Sequence, residues 1–223
     1  MELAQLAVFV RPPIAGKVKT RLAGLFGDRG AAELYHAFVE DTLRMCSRVR
    51  AAGRVDVTLW SAGPEDEIVS EWARRLDVPA RLQPEGDLGV KLGAAFDEGF
   101  RRYERVVIIG SDAPTLPIGL IGAALASLED ASIVLGPAND GGYYAIGASH
   151  SVRPSFERVR WSTSDALQDT LTANAHRNVA VLAPWYDIDE PEDLGILRAH
   201  LSVDPAAAPA TARRLAELAS AQR

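Results

Sequence analysis

The sequence predicts an α/β fold, a three-layer sandwich in which a mostly parallel central sheet lies between two layers of helices. Short apolar runs alternate with amphipathic stretches up to about residue 203, and this alternation is typical of parallel sheets whose strands are joined by helices. Residues 106–109 and 132–136 are almost continuously apolar, as strands are when both faces of a sheet are covered. Hydrophobic residues make up 48% of the 223, enough for a sizeable core without disulfides or a structural metal.

The strands are predicted from runs whose length and period suit an extended chain. Residues 6–10 form a short apolar run and predict the first strand. Residues 54–60 alternate between apolar and polar side chains, as a half-buried strand does. The remaining predicted strands cover residues 80–83, 106–109, 132–136, 141–147 and 179–183.

The helices are predicted from apolar side chains that recur at intervals of three and four. This period is clearest in residues 28–50. Residues 64–76 begin with proline and acidic residues, which suit the first turn of a helix. The other predicted helices are residues 88–103, a helix after Pro117, residues 164–176 and residues 191–201. We therefore expect one domain over residues 1–203, followed over 204–223 by an Ala/Pro linker and a short amphipathic helix that docks either on the body or on a partner.

Composition excludes several classes of protein. The net charge is −6, the pI is about 5.3 and no basic run stands out, which argues against a general affinity for nucleic acid. Cys46 is the one cysteine, so no disulfide forms within the chain and a cysteine-rich zinc site is excluded. No apolar stretch approaches the ~20 residues that span a bilayer, and the N-terminus does not resemble a signal peptide. We expect a cytoplasmic protein, and its oligomeric state is open.

The loop after the first strand has the composition of a phosphate-binding loop. Residues 10–24 contain Gly16, Lys17, Lys19 and Arg21. A glycine lets backbone amides approach an anion, and basic side chains neutralise its charge. The loop lacks the Gly-Lys-Ser/Thr ending of a Walker motif, because Val18 follows Lys17. The alternative is a solvated basic turn.

Aspartates follow two of the predicted strands. Ser111 and Asp112 come after residues 106–109, while Asp187 and Asp189 come after the last strand. Ligands of open parallel sheets bind beyond the carboxyl ends of the strands, so these side chains are candidates for a binding site. The alternatives are that Asp112 caps a turn and that Asp189 caps the helix that follows it.

Two further stretches are candidates for contacts with a substrate. Asn139, Asp140, Gly141 and Gly142 precede Tyr143 in a strong turn signal, which suits either a hairpin turn or the close approach of a ligand. Residues 83–96 contain Asp87 and Gly89, where Asp87 either caps a helix or contacts substrate. No combination of nucleophile, histidine and acid is present that would predict a catalytic triad.

Taken together, these stretches resemble a known family. The chain is similar to the bacterial GT-A-fold transferases usually called glycosyltransferases, which are related to the guanylyltransferase of deazaflavin cofactor synthesis and, more distantly, to the molybdopterin guanylyltransferases. The residues that carry the resemblance span positions 8 to about 200 and read "RPPIAGKVKTRLA", "YHAFVEDT", "EGDLGVKL", "IIGSDAPTLP", "LGPANDGGYYAIG", "WST" and "DIDEPEDL". Two positions depart from the family pattern: Arg11 replaces a common lysine, and Glu190 replaces a common threonine.

The resemblance implies a nucleotide-diphospho-sugar-transferase (GT-A) fold over residues 1–203 and a nucleotide donor held with Mg²⁺ or Mn²⁺. By this match Gly16, Lys19, Arg21 and Ser111 bind the nucleotide, with Lys19 and Asp112 in catalysis. The metal ligands are Asp112, Asp187 and Asp189. A small-molecule acceptor lies against two stretches, which supply Asp87, Gly89, Asp140, Gly141, Gly142 and Tyr143.

Three functions remain compatible with these residues. Glycosyl transfer from a nucleotide-diphospho-sugar is favoured by the family name. Nucleotidyl transfer from a triphosphate fits the basic first loop, and no Asp-x-Asp motif of sugar transferases follows the central strand. The third is a non-catalytic nucleotide-binding protein.

Overall fold

The computed structural model describes residues 4–53, 55–63, 66–150 and 152–221. Seven strands form one sheet in the order β3-β2-β1-β4-β6-β5-β7. They are β1 Ala4–Val10, β2 Val55–Ser61, β3 Ala80–Leu82, β4 Arg105–Ile109, β5 Ile133–Pro137, β6 Tyr143–Ser149 and β7 Val179–Val181. Among these strands β6 is antiparallel to its neighbours and the other pairs are parallel.

Seven α-helices and one 3-10 turn lie between or after the described strands. They are the 3-10 turn Thr20–Leu22, α1 Ala23–Ala51, α2 Glu67–Leu76, α3 Leu88–Gly99, α4 Ile118–Ser127, α5 Ala166–Ala173, α6 Asp193–Val203 and α7 Pro209–Ala221. Helix α1 begins five residues before the predicted start and bends at Gly27, whose φ of 68° and ψ of 165° are not helical. The first residues of the predicted helix 64–76 lie outside the described residues, and Asp66 caps α2 by accepting a hydrogen bond from the Ile68 amide at 2.9 Å.

The alternation of side chains along the strands creates a core on each face of the sheet. Leu6 and Val8 of β1 face the layer formed by α1, α2, α4, α6 and α7, whereas Ala7 faces the layer formed by α3 and α5. In β4, Val107 faces the first layer and Ile108 the second. Successive side chains of a strand point to opposite faces of the sheet. Because both faces are buried here, consecutive residues of the strands must be apolar. The predicted three-layer fold with a mostly parallel sheet is confirmed.

The C-terminal helix packs on the body of the protein. Asp41 of α1 is buried and accepts hydrogen bonds from the backbone amides of Ala210 at 3.0 Å and Thr211 at 2.8 Å. Leu215 of α7 is also buried, in the core of the first layer. The sequence left open where this helix docks, and the structure places it on α1. The division of the chain after residue 203 stays a prediction.

Among the described residues, no helix combines the length and apolar character needed to cross a bilayer.

Candidate functional site

A cleft runs along the edge of the sheet where the parallel strands end. It lies at the switch point between β1 and β4, the place where open α/β sheets bind ligands. It has two cavities, which we call the polar branch, of about 570 Å³, and the second branch, of about 510 Å³. Both are lined by Arg11, Tyr35, Asp112 and Ser162, which therefore mark the junction.

The basic loop forms one wall of the polar branch. Arg11, Lys17, Lys19 and Arg21 line this branch. Neither Arg11 nor Lys17 has an acidic partner within the described part of the chain, whereas Arg21 pairs with Glu190 at 2.7 Å. Two basic side chains are thus free to meet an anion, as expected for a phosphate-binding loop.

Gly16 contributes to this loop through its backbone conformation. Its φ of +74° lies in the left-handed region that favours glycine. It does not line either branch. Its place in nucleotide binding stays a prediction, and the geometry supports an indirect effect on the loop.

Lys19 is buried within the cleft wall. Its ammonium group contacts a carboxylate oxygen of Asp112 and one of Asp189, the latter at 2.6 Å, and the side chain is only 4% exposed. The rings of Tyr35 and Phe38 lie 6.0 and 5.8 Å from its Nζ atom, within reach of a cation–π interaction. Burial lowers the pKa of Lys19, but the two carboxylates outweigh burial and raise it overall, so the side chain stays charged.

The loop after β4 is held by hydrogen bonds to two other segments, α1 and the loop before α6. The Tyr35 hydroxyl accepts a hydrogen bond from the Arg11 amide at 2.9 Å and shares another with the buried Ser111 hydroxyl at 2.8 Å. The Asp112 carbonyl accepts a hydrogen bond from the Ile188 amide at 3.0 Å. Burial, then the charge of Asp112, raises the pKa of Tyr35 to about 12, so its hydroxyl stays neutral and can donate.

Three carboxylates cluster beside the basic loop, and two of them, Asp140 and Asp189, line the polar branch. Oxygen atoms of Asp140, Asp187 and Asp189 all lie within 4.8 Å of one another. Burial, together with the negative charges of Asp140 and Asp189, raises the pKa of Asp187 to about 7. The sequence predicted Asp112, Asp187 and Asp189 as metal ligands; Asp140 lies in the cluster with the latter two, Asp112 pairs with Lys19, and the predicted metal role of Asp112 stays a prediction. Asp140 was predicted to contact substrate.

Asp189 does not cap the helix that follows it. The carboxylate of Asp193 accepts the amide hydrogens of Asp189 at 2.9 Å and of Glu190 at 2.7 Å. Helix α6 begins at Asp193, and the side chain of its N-cap residue, Glu192, accepts no capping hydrogen bond. The side chain of Asp189 is therefore available to Lys19 and to the acidic group.

Of the other residues predicted to contact substrate, some line the second branch and one packs in the interior of the protein. Asp87 and Tyr143 line the second branch, and Asp87 also caps α3 by accepting a hydrogen bond from the Val90 amide at 2.9 Å. Gly89 lines neither branch, and a Cβ atom there would lie 2.9 Å from the Cβ of Phe156. Its glycine is explained by helix packing, and its contact with substrate stays a prediction.

The turn between β5 and β6 needs its glycines for close approach. A Cβ atom at Gly141 would lie 2.2 Å from the Ser164 carbonyl oxygen, and its φ is +87°. The Gly142 amide donates to Asp140 Oδ1 at 2.7 Å. The turn thus packs against the backbone of Ser164, which lines the cleft, and its Gly142 amide orients the Asp140 carboxylate.

Sequence reasoning missed several residues that line the cleft. Tyr35 follows the apolar period of α1, so it was interpreted as core. Lys91 lines the second branch and gave no signal of its own. Residues 162–164 line the polar branch, and the "WST" motif at 161–163 was the available signal. Ser162 has a φ of 59°, which is uncommon outside glycine.

The sheet order and the cleft at its switch point define a protein of the nucleotide-diphospho-sugar-transferase fold type. The chain belongs to the family described as uncharacterized protein conserved in bacteria (DUF2064), whose profile matches residues 42–163. No curated protein matches the chain. The specific relation to the deazaflavin guanylyltransferase stays a prediction.

Solved structures support the fold and the family. A candidate nucleotide-diphospho-sugar transferase from Desulfovibrio desulfuricans G20 is 32% identical, with a TM-score of 0.87 over 99% of this chain and 96% of that one. The 4-diphosphocytidyl-2C-methyl-D-erythritol synthase of Anaerococcus prevotii DSM 20548 is 13% identical, with a TM-score of 0.58 over 90% and 99%. Rv0371C of Mycobacterium tuberculosis H37Rv, solved as a complex with manganese, is 16% identical, with a TM-score of 0.50 over 88% and 98%.

Proposed function

We propose that this protein is a metal-dependent transferase that acts on a nucleotide donor, and that its reaction is nucleotidyl transfer with release of pyrophosphate. The observation that carries the proposal is the meeting of basic and acidic side chains in the polar branch. Four basic side chains of one loop line this branch, together with Asp140 and Asp189 of the carboxylate cluster. A triphosphate with a divalent cation is the ligand whose charges match both groups of side chains.

The carboxylates fit a hard divalent cation. Asp140, Asp187 and Asp189 offer oxygen ligands within 4.8 Å of one another, and Mg²⁺ and Mn²⁺ prefer oxygen ligands. The raised pKa of Asp187 arises from burial beside other negative groups, a situation that a cation relieves. The manganese complex of Rv0371C supports the same choice of metal. When bound, such an ion would neutralise charge that develops on the phosphates.

The protein's own groups would bind and orient the reactants. Arg11 and Lys17, which lack acidic partners among the described residues, would hold the β- and γ-phosphates in the polar branch. The acceptor would lie in the second branch, near Asp87, Lys91 and Tyr143. An acceptor oxygen would then form a bond to the α-phosphorus at the junction as the bond to pyrophosphate breaks.

Glycosyl transfer is the second candidate, because the relative that is 32% identical is a candidate nucleotide-diphospho-sugar transferase and the sequence motifs favour that family name. The same cleft would hold the diphosphate of a nucleotide-sugar, and a nucleoside diphosphate would leave. We favour nucleotidyl transfer because the density of basic side chains on one loop suits the larger charge of a triphosphate. A bound nucleotide without turnover would instead support a binding protein.

Calorimetric titration with the four ribonucleoside triphosphates and with nucleotide-sugars, each with Mn²⁺, tests the proposal. We expect a triphosphate to bind most tightly, and Lys17→Ala to weaken its binding about tenfold through loss of one charge-assisted contact. The matched control is Arg213→Ala, which removes the same charge from the exposed side of α7. Pyrophosphate release in the presence of a metabolite mixture would then identify nucleotidyl transfer. Tight binding of nucleotide-sugars alone, with release of a nucleoside diphosphate, would overturn it in favour of glycosyl transfer.

A further inference from the structure

The ammonium group of Lys19 lies beside the proposed metal site and contacts carboxylates that a metal ion could bind. It contacts Asp112 and Asp189 at once, and the side chain is 4% exposed. Asp189 is also one of the three clustered carboxylates. One carboxylate is therefore shared between an internal cation and the proposed cation site.

The backbone holds Lys19 in this place at a conformational cost. Its φ of 45° and ψ of 41° are in the left-handed region, which residues other than glycine and asparagine seldom adopt. Such a conformation persists only where the surroundings enforce it, and it is often found at functional sites. The neighbouring Lys17 lies in the same loop and has no acidic partner among the described residues. A lysine of this loop therefore does not need a carboxylate partner, and the contacts of Lys19 with Asp112 and Asp189 call for a separate explanation.

We propose that Lys19 is an internal counter-ion that lowers the affinity of the nucleotide-free protein for divalent cations by neutralising Asp112 and Asp189. This inference rests on the proposed function, because it assumes that the clustered carboxylates bind a metal. Lysine suits the role, since its ammonium is a compact point charge with three donors on a flexible stem. Phosphates in the polar branch would offer the ammonium alternative acceptors and leave Asp189 to the metal. Metal binding would thus depend on the presence of the nucleotide.

The test is a titration of the nucleotide-free protein with Mn²⁺, in which the electron paramagnetic resonance signal reports free Mn²⁺. We expect Lys19→Met to bind Mn²⁺ about tenfold more tightly than the wild type, because a unit charge a few ångströms from a divalent ion shifts affinity by this order even when well solvated. Lys19→Asn, whose side chain tolerates the left-handed conformation, should show the same increase, and thermal melting confirms that each variant is folded.

Two controls separate this inference from the proposed function. Lys17→Met removes the same charge from the same loop without freeing a carboxylate, and it should change Mn²⁺ affinity less than twofold. Asp187→Asn should weaken Mn²⁺ binding in both backgrounds. If the Lys19 variants bind no more tightly than the wild type while Asp187→Asn still weakens binding, the counter-ion role is wrong and the metal site stands. If Asp187→Asn has no effect in either background, both are wrong.

Discussion

Removal of the Asp41 carboxylate should destabilise the protein by loosening α7. The two carboxylate oxygens accept different amides, Oδ1 from Ala210 and Oδ2 from Thr211. Loss of a side-chain cap costs ~0.5–2 kcal/mol, and loss of a negative charge beside a helix N-terminus costs a further ~0.3–1 kcal/mol. The Asp41→Ala variant should therefore lose about 2 kcal/mol of unfolding free energy.

The Asp41→Asn variant sharpens the test. Asparagine usually replaces aspartate well at a cap, but here it turns one of two accepting oxygens into an NH₂ group that faces an amide hydrogen. We expect a loss between those of the wild type and Asp41→Ala, about 1 kcal/mol. Equilibrium urea unfolding gives these differences. Glu217→Ala, an exposed change on α7, should stay within about 0.5 kcal/mol of the wild type. A loss below 0.5 kcal/mol for Asp41→Ala would refute the docking geometry.

The remaining predictions concern the cleft and the start of α6. Asp112→Asn should lower turnover, measured as initial rate of product release, by about 10²–10³-fold, as for loss of a stabilising group in an active site; a rate near that of the wild type would leave Asp112 with a structural role alone. The pKa of Asp187 is raised to about 7, so between about pH 4 and 7 the folded state binds more protons than the unfolded state and the metal-free protein should become less stable as pH rises. Thermal melts in EDTA should show this slope for the wild type and a flatter one for Asp187→Asn, and equal slopes would contradict it. Asp193→Ala should lose about 1 kcal/mol in urea unfolding, because its carboxylate accepts two amides. Asp189→Ser should also be destabilised, because it removes one of the two carboxylates paired with the buried Lys19, but it should stay folded and no longer bind Mn²⁺; retained Mn²⁺ binding by the folded variant would remove Asp189 from the metal site.

The fold and the edge that carries the site could be predicted because both follow from local patterns. Continuous apolar runs require a sheet buried on both faces, and the ends of parallel strands meet at one edge. The expectation that Asp112, Asp187 and Asp189 lie close together needs no more than this. That Lys19 pairs with both Asp112 and Asp189 could not be predicted, because it depends on the left-handed backbone of Lys19.

Other features depend on contacts between segments distant in the chain. Asp140 joins the cluster because it lies in the turn between β5 and the antiparallel β6; the turn signal in the sequence left a hairpin open but did not place Asp140 beside Asp187 and Asp189. Gly89 packs against Phe156, 67 positions further along the chain, so its role could not be read from its neighbours. The early start of α1 was missed because glycine disfavours helix, and the kink at Gly27 is what accommodates it.

The direction of β6 also determines how the cleft is enclosed. Ser149, at the end of this strand, pairs with Arg105 at the start of β4, so the chain leaves the sheet at the edge far from the carboxylates. Residues 152–165 must therefore run back over the length of β6, roughly 20 Å, before Trp161 and Ser162 reach the cleft. One wall of the cleft is therefore a returning segment rather than a loop fixed at a strand end. Exchange of this segment between relatives would change the surface that meets the acceptor, while Asp112, Asp187 and Asp189 would still be positioned by other segments of the chain.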